Sequence, residues 1–160
     1  LGLTKPALHY HFAGKAELGE ALINRYAARF ADALERIDRE RLDGRGKLEA
    51  YIDLYRRVLA EQRMCLCGML AADYGTLPEA MRDGVVRFFD ANDTWLARTL
   101  EEGREEGTLR FSGTGADLAR MIVATLEGAM LVARPFDDVG RFDAAVARLL
   151  TGLATEPSAT

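Results

Sequence analysis

The sequence predicts an all-α fold, and three observations carry that expectation. Only four prolines occur in 160 residues, and Ala, Leu, Arg and Glu dominate, a composition that favours helix. Apolar residues recur at spacings of three and four along most of the chain, and no segment sustains the period-two alternation of a strand.

Each element can be read in order. Thr4 is a good N-cap, with Lys5 and Pro6 in the first turn of a short helix through Ala7–His11. Phe12-Ala13-Gly14 breaks it, and Gly14 caps the next helix with Glu17 at the N3 place of a capping box. Leu18, Leu22, Tyr26 and Phe30 then recur every fourth residue, and Ala33, Leu34 and Ile37 extend the stripe to about residue 41. Asp43-Gly44-Arg45-Gly46 reads as a break. A third helix carries Leu48, Tyr51, Ile52, Tyr55, Val58 and Leu59, and the apolar stretch from Met64 to Ala72 reads as a buried helix. A longer helix begins at Leu77-Pro78; Met81, Val85, Phe88, Asn92, Trp95 and Thr99 form its main row. Gly103 is expected to loosen its end and Gly107 to stop it. Leu118–Ala133 is apolar almost all round, which requires burial on more than one side. Phe142, Val146, Leu149, Leu150 and Leu153 stripe the last helix, and residues 155–160 read as a frayed tail.

Composition bounds the function. The net charge is -4, with 49% hydrophobic and 29% charged residues, so the chain is neither disordered nor strongly basic. A chain of this length buries about 70% of its unfolded surface, enough for one real core. No apolar run approaches the roughly 18 residues that cross a bilayer. Cys65 and Cys67 cannot make a disulfide framework. With no signal peptide read at the start, the expected home is the reducing cytoplasm. The chain begins without Met, and is expected to be part of a longer protein.

The opening residues carry the most specific information. A tight turn at Gly2 followed by a capped short helix is the second half of a helix-turn-helix, whose second helix enters a DNA major groove. That helix offers Thr4, Lys5, Tyr10 and His11 at spacings that reach phosphates and base edges. Residues 1–31 hold Lys5, Lys15, Arg25 and Arg29 against Glu17 and Glu20, a local +2 on a chain of -4. A basic end on an acidic body suits contact with nucleic acid there, although scattered charge on a surface hairpin gives the same sum.

Leu3-Thr4-Lys5-Pro6-Ala7-Leu8-His9-Tyr10-His11-Phe12, followed by Gly14-Lys15-Ala16-Glu17-Leu18, closely resembles the signature of TetR-family transcriptional regulators. The resemblance implies that Thr4, Lys5, Pro6 and Ala7 face the groove and that Tyr10 and His11 sit against backbone or bases. It places Lys15 on a phosphate at a helix N-terminus, where free N–H groups also attract an anion. Gly14 stands where the family often has a Ser cap, and the family's first helix and most of its second are absent, so this polypeptide alone should bind DNA poorly. The implied architecture is the end of a helix-turn-helix domain over residues 1–41 and an effector-binding and dimerisation domain over residues 44–154. Double-stranded operator DNA is a partner of the full-length protein only. A homodimer through the last two helices is implied, and no membrane partner.

Individual residues admit plainer readings. Cys65 and Cys67 are either small buried hydrophobes or, with Arg63 nearby, an electrophile or oxidant sensor, which needs a lowered thiol pKa and access. His9 and His11 lack a third ligand at metal spacing, and no catalytic or cofactor motif is present. Tyr51, Tyr55, Met69, Phe88 and Trp95 are candidates to line an effector pocket, with Asn92, Thr125 and Glu127 as its polar groups because each interrupts an apolar row. Glu127 must find a partner or shift its pKa; an ion pair with an Arg is the plain alternative. The expected function is a repressor released from its operator by a small-molecule effector, with no cofactor and no enzymatic activity. A thiol-sensing regulator, or an all-α carrier or enzyme without DNA contact, are the alternatives.

Overall fold

The computed structural model describes residues 14–154. Among them lie six α-helices and two short 3-10 turns: α1 (Lys15–Arg39), α2 (Gly44–Ala60), α3 (Leu66–Ala72), a turn at Tyr74–Thr76, α4 (Glu79–Glu105), α5 (Gly115–Ala133), a turn at Arg134–Phe136 and α6 (Val139–Gly152). The described residues are thus all-α, as the periodicity predicts. The short helix expected at Ala7–His11 and the tail lie outside them.

Most stripes bury as the sequence pattern requires, but the first half of the α1 stripe does not. Leu22 is 49% exposed, Leu18, Tyr26 and Phe30 are only half-buried, and Ile23, one position off the stripe, takes the buried place. Ala33, Leu34 and Ile37 of α1, and Leu48, Tyr51, Ile52, Tyr55 and Leu59 of α2, face inward. So do Val85, Phe88, Asn92, Trp95 and Thr99 along one row of α4. The interior divides in two: a main core from α1, α2, α4, α5 and α6, and a smaller cluster of Ile23, Cys65, Cys67, Val85 and Phe88. Phe30 and Phe89 pack against both.

Three local expectations need correction. Asp43-Gly44-Arg45-Gly46 is not a break but a helix start: Asp43 caps α2 by accepting from the Gly46 N–H at 2.7 Å. The tight approach of α2 to α4 explains the glycine, since a Cβ on Gly44 would lie 2.3 Å from Gly103 Cα. Gly103 therefore marks a helix crossing rather than a loosened end, whereas Gly107, at φ 73°, does terminate α4. Gly14 caps α1 as expected. In the Met64–Ala72 stretch the helix is the short surface one Leu66–Ala72, in which Cys67 is buried and Met69 is exposed; Cys65, Cys67 and Leu70 meet the small cluster and Met64 the main core.

The α5 helix is buried on one side, through Ala119, Ile122, Val123, Leu126, Met130 and Ala133. On its other side Met121, Leu131 and Val132 are exposed at 48%, 59% and 58%, and Phe136 just beyond at 58%. Within one copy, the second burial that its apolar composition requires is not met. Among the described residues no helix is long and apolar enough to cross a membrane.

At its C-terminal end α1 is tied down by charge. The Asp38 carboxylate accepts from Trp95 Nε1 at 3.0 Å and from Arg98 at 2.7 Å, and Lys47 lies 3.7 Å away. Lys47 and Arg98 also pair with Glu102, at 2.7 and 2.9 Å. Half-buried pairs arranged as a network hold better than isolated surface pairs. Towards its N-terminus α1 meets α4 closely, with Ile23 against Gly84 and Gly19 against Met81.

Candidate functional site

Between these two attachments α1 runs beside open space. A cleft of about 520 Å³ separates α1 from α2, floored by Tyr26, Phe30, Val58 and Met64 and rimmed by Arg29, Arg36, Arg57 and Arg63. On the other side of the same helix a second cavity of about 250 Å³ lies against α4, lined by Ala27, Phe30, Leu34, Gly84, Phe88 and Asn92. Phe30 is common to both. Its ring stands edge-on to Tyr51, Tyr55 and Phe88, with centroids at 6.0, 6.0 and 5.3 Å, the arrangement that aromatic quadrupoles favour.

Behind Phe30 a row of polar groups threads the core. Asn92 donates to its own helix at the Phe88 carbonyl, 2.8 Å away. Its Oδ1 accepts from the Tyr51 hydroxyl at 2.8 Å, and the Tyr51 and Tyr55 hydroxyls are 3.3 Å apart. Tyr51 also stacks on Trp95, with centroids 5.6 Å apart. Burial pushes Tyr26, Tyr51 and Tyr55 far above the usual phenol range, so all three stay neutral donors.

The row ends at Glu127. Burial raises its carboxyl above the ordinary value, while the facing Cys65 thiol and Tyr55 hydroxyl oppose the shift. Oε1 has no hydrogen-bond partner. No arginine pairs with Glu127 among the described residues, so the ion-pair alternative has no support within one copy. The carboxylate fits because residue 68 is glycine: a Cβ there would meet Oε2 at 2.1 Å.

The sequence-predicted pocket residues separate accordingly. Tyr51, Tyr55, Phe88, Asn92, Trp95 and Glu127 come together in this aromatic and polar interior. Met69 does not, being 46% exposed. Thr125 turns its hydroxyl to the Met121 carbonyl of its own helix, at 2.7 Å. Of the eight, Phe88 and Asn92 also line a cavity. The cleft residues Tyr26, Phe30 and Arg57 escaped the sequence reading, because two of them sit on the stripe that marks core. A usable signal was present: Arg29 and Arg36 follow that stripe seven residues apart on one helix.

Cys65 is the N-cap residue of α3, its sulfur accepting from the Gly68 N–H at 3.4 Å, and Cys67 lies in the first turn. Both are buried and unbridged. Burial, then Glu127, raises both thiols, Cys67 to about 12 and Cys65 further. A thiolate sensor needs the opposite shift. Arg63, the cation expected to help, pairs instead with Glu61. Among the described residues no cluster of His, Cys, Asp or Glu is arranged to hold a metal ion.

Of the residues assigned to DNA, Thr4, Lys5, Pro6, Ala7, Tyr10 and His11 lie outside the described residues. Lys15 is the first residue of α1 and is exposed.

Comparison with known proteins agrees with this architecture. Residues 44–149 match the family described as the tetracyclin repressor-like C-terminal domain. The transcriptional regulator AcuR of Cereibacter sphaeroides is 31% identical over 142 residues, covering 82% of this chain and 62% of the relative. The nucleoid occlusion factor SlmA of a Marinomonas species is 28% identical over 129 residues, covering 80% and 65%. The chain thus spans less than two thirds of the length of these curated relatives. A TetR-family transcriptional regulator from Agrobacterium tumefaciens superposes with a TM-score of 0.91 at 29% identity, over 96% of this chain and 82% of that one. With its family domain spanning residues 44–149 and this helical order on either side, the chain belongs to the TetR family.

Proposed function

We propose that this chain is the sensing and pairing part of a DNA-binding transcriptional regulator, a repressor released from its operator by a small-molecule effector. One observation carries the reading. The helix that leads away from the DNA-binding pattern of residues 3–12 is fixed at Asp38 and flanked by cavities around Phe30. A ligand in either cavity presses on α1 directly, and a tilt about the Asp38 network moves its Lys15 end once the Ile23–Gly84 and Gly19–Met81 contacts slide. Residues 1–41 then act as the end of the DNA-binding domain, with Thr4, Lys5, Pro6, Ala7, Tyr10, His11 and Lys15 on operator DNA. Residues 44–154 form the effector and dimerisation domain. The ligand must bind the released conformer more tightly than the DNA-bound one, or no shift occurs.

The second copy pairs through α5 and α6. Exposed Met121, Leu131, Val132 and Phe136 support this, since an apolar face of that kind marks an interaction surface. A two-fold pair also presents two recognition helices about one DNA turn, ~34 Å, or a multiple apart.

The test uses the full-length protein and a DNA fragment selected from its own upstream region. Small molecules that co-purify are identified by mass spectrometry and added back during an anisotropy titration. Operator affinity is expected to fall at least about tenfold, or 1.4 kcal/mol. An affinity indifferent to every such compound rejects the reading.

A further inference from the structure

We propose that the cleft between α1 and α2 binds an organic monocarboxylate, its apolar body on Tyr26 and Phe30 and its carboxylate among Arg29, Arg36 and Arg57. This names a ligand class for the effector reading and rests on that reading for its regulatory consequence, though the binding itself does not need it.

Charge is the first argument. The chain carries a net -4, yet this cleft gathers four arginines against one carboxylate, Glu61. Glu61 is already engaged by Arg63. Arg29, Arg36 and Arg57 make no ion pair among the described residues. Three uncompensated guanidinium groups facing one concavity repel one another and raise the local concentration of anions. A planar fork of N–H donors matches a carboxylate better than it matches a halide or water.

The floor is the second argument. An inorganic anion would satisfy the rim and leave Tyr26, Phe30, Val58 and Met64 wet. A wholly apolar molecule would cover the floor and leave the rim unneutralised. Only an amphipathic anion serves both. The volume of about 520 Å³ falls within the range of small-molecule sites. Position is the third argument: the floor ring Phe30 is the one that touches Tyr51 and Tyr55 in the interior, so filling the cleft bears on the core directly.

Octanoate is the probe, titrated calorimetrically into the whole 160-residue chain, with octanamide as the uncharged match. Saturable octanoate binding is expected, with octanamide weaker by about tenfold. The double variant Arg29→Gln/Arg57→Gln should lose about tenfold in octanoate affinity with an unchanged thermal midpoint, since both side chains are exposed. Should that pair disturb the melt, Arg29→Lys/Arg57→Lys keeps the charge without the fork and should show an intermediate loss. No saturable binding up to millimolar octanoate, equal binding of octanamide, or parent-like affinity in both double variants would overturn the proposal. Octanoate binding that leaves the operator affinity of the full-length protein unaltered upholds the site and rejects this cleft as the effector site.

Discussion

The Tyr51 hydroxyl donates to Asn92 Oδ1 at 2.8 Å, both side chains fully buried. It joins α2 to α4 and gives an amide in an apolar row its only side-chain partner among the described residues. Tyr51→Phe keeps the ring and strands the Asn92 oxygen, which should cost about 1–3 kcal/mol. Urea unfolding of parent and variant measures it. Asn92→Leu removes the amide from α4 and leaves the Tyr51 hydroxyl with Tyr55 alone, so the double variant should be less damaged than the two single effects summed.

Gly44 and Gly103 make a second junction of the same two helices, backbone on backbone. Gly44→Ala drives a Cβ to within 2.3 Å of Gly103 Cα, and should cost about 1–3 kcal/mol by overpacking. Gly103→Ala meets chiefly the Leu109 side chain, at 2.6 Å, which can turn aside. It should therefore be the milder of the two in thermal melts; the reverse order would contradict this packing.

Glu127 and Glu102 should give stability opposite slopes with pH. Burial raises the Glu127 carboxyl above 4.5, so the folded state binds the proton more tightly than the unfolded one. Stability is then lost as pH rises from about 4.5 through the raised value. Glu127→Gln should be more stable than the parent at neutral pH, the advantage vanishing towards pH 4.5. Glu102 is held below 4.5 by Lys47, so its contribution is present at neutral pH and disappears on acidification. Glu102→Gln should destabilise at neutral pH and be silent in acid. Unfolding free energies at a series of pH values read both.

The two thiols should resist alkylation. Their burial and upward shifts keep the thiolate population low in the folded chain. N-Ethylmaleimide should label Cys65 and Cys67 slowly in buffer and rapidly in urea, as counted by intact-mass spectrometry. Rapid labelling of the folded chain would restore the sensor alternative.

The pairing surface can be addressed with Leu131→Asp, exposed at 59% within one copy. Light scattering should show the parent as a dimer and the variant as a monomer, with equal helical content by circular dichroism. A parent that stays monomeric would refute pairing through this face.

Periodicity made most of the fold legible. The α4 row from Val85 to Thr99 and the α6 stripe through Phe142, Val146 and Leu153 face inward as spaced. What periodicity could not separate was a core face from a cavity floor. Tyr26 and Phe30 belong to a regular stripe, and only the distance between α1 and α2, a tertiary fact, leaves space over them. Polar interruptions were better guides: Asn92 and Glu127 do join the interior row, whereas Thr125 satisfies itself on its own helix, an outcome that short hydroxyl side chains allow. Gly44 and Gly103 looked like breakers because glycine serves close crossings and helix ends alike.

A single benzyl group lines both hollows beside α1. Trimmed to a methyl, as in Phe30→Ala, it would deepen the two at once. The bulk of that one side chain thus bears on the size of both berths, and a substitution there cannot tune one without the other.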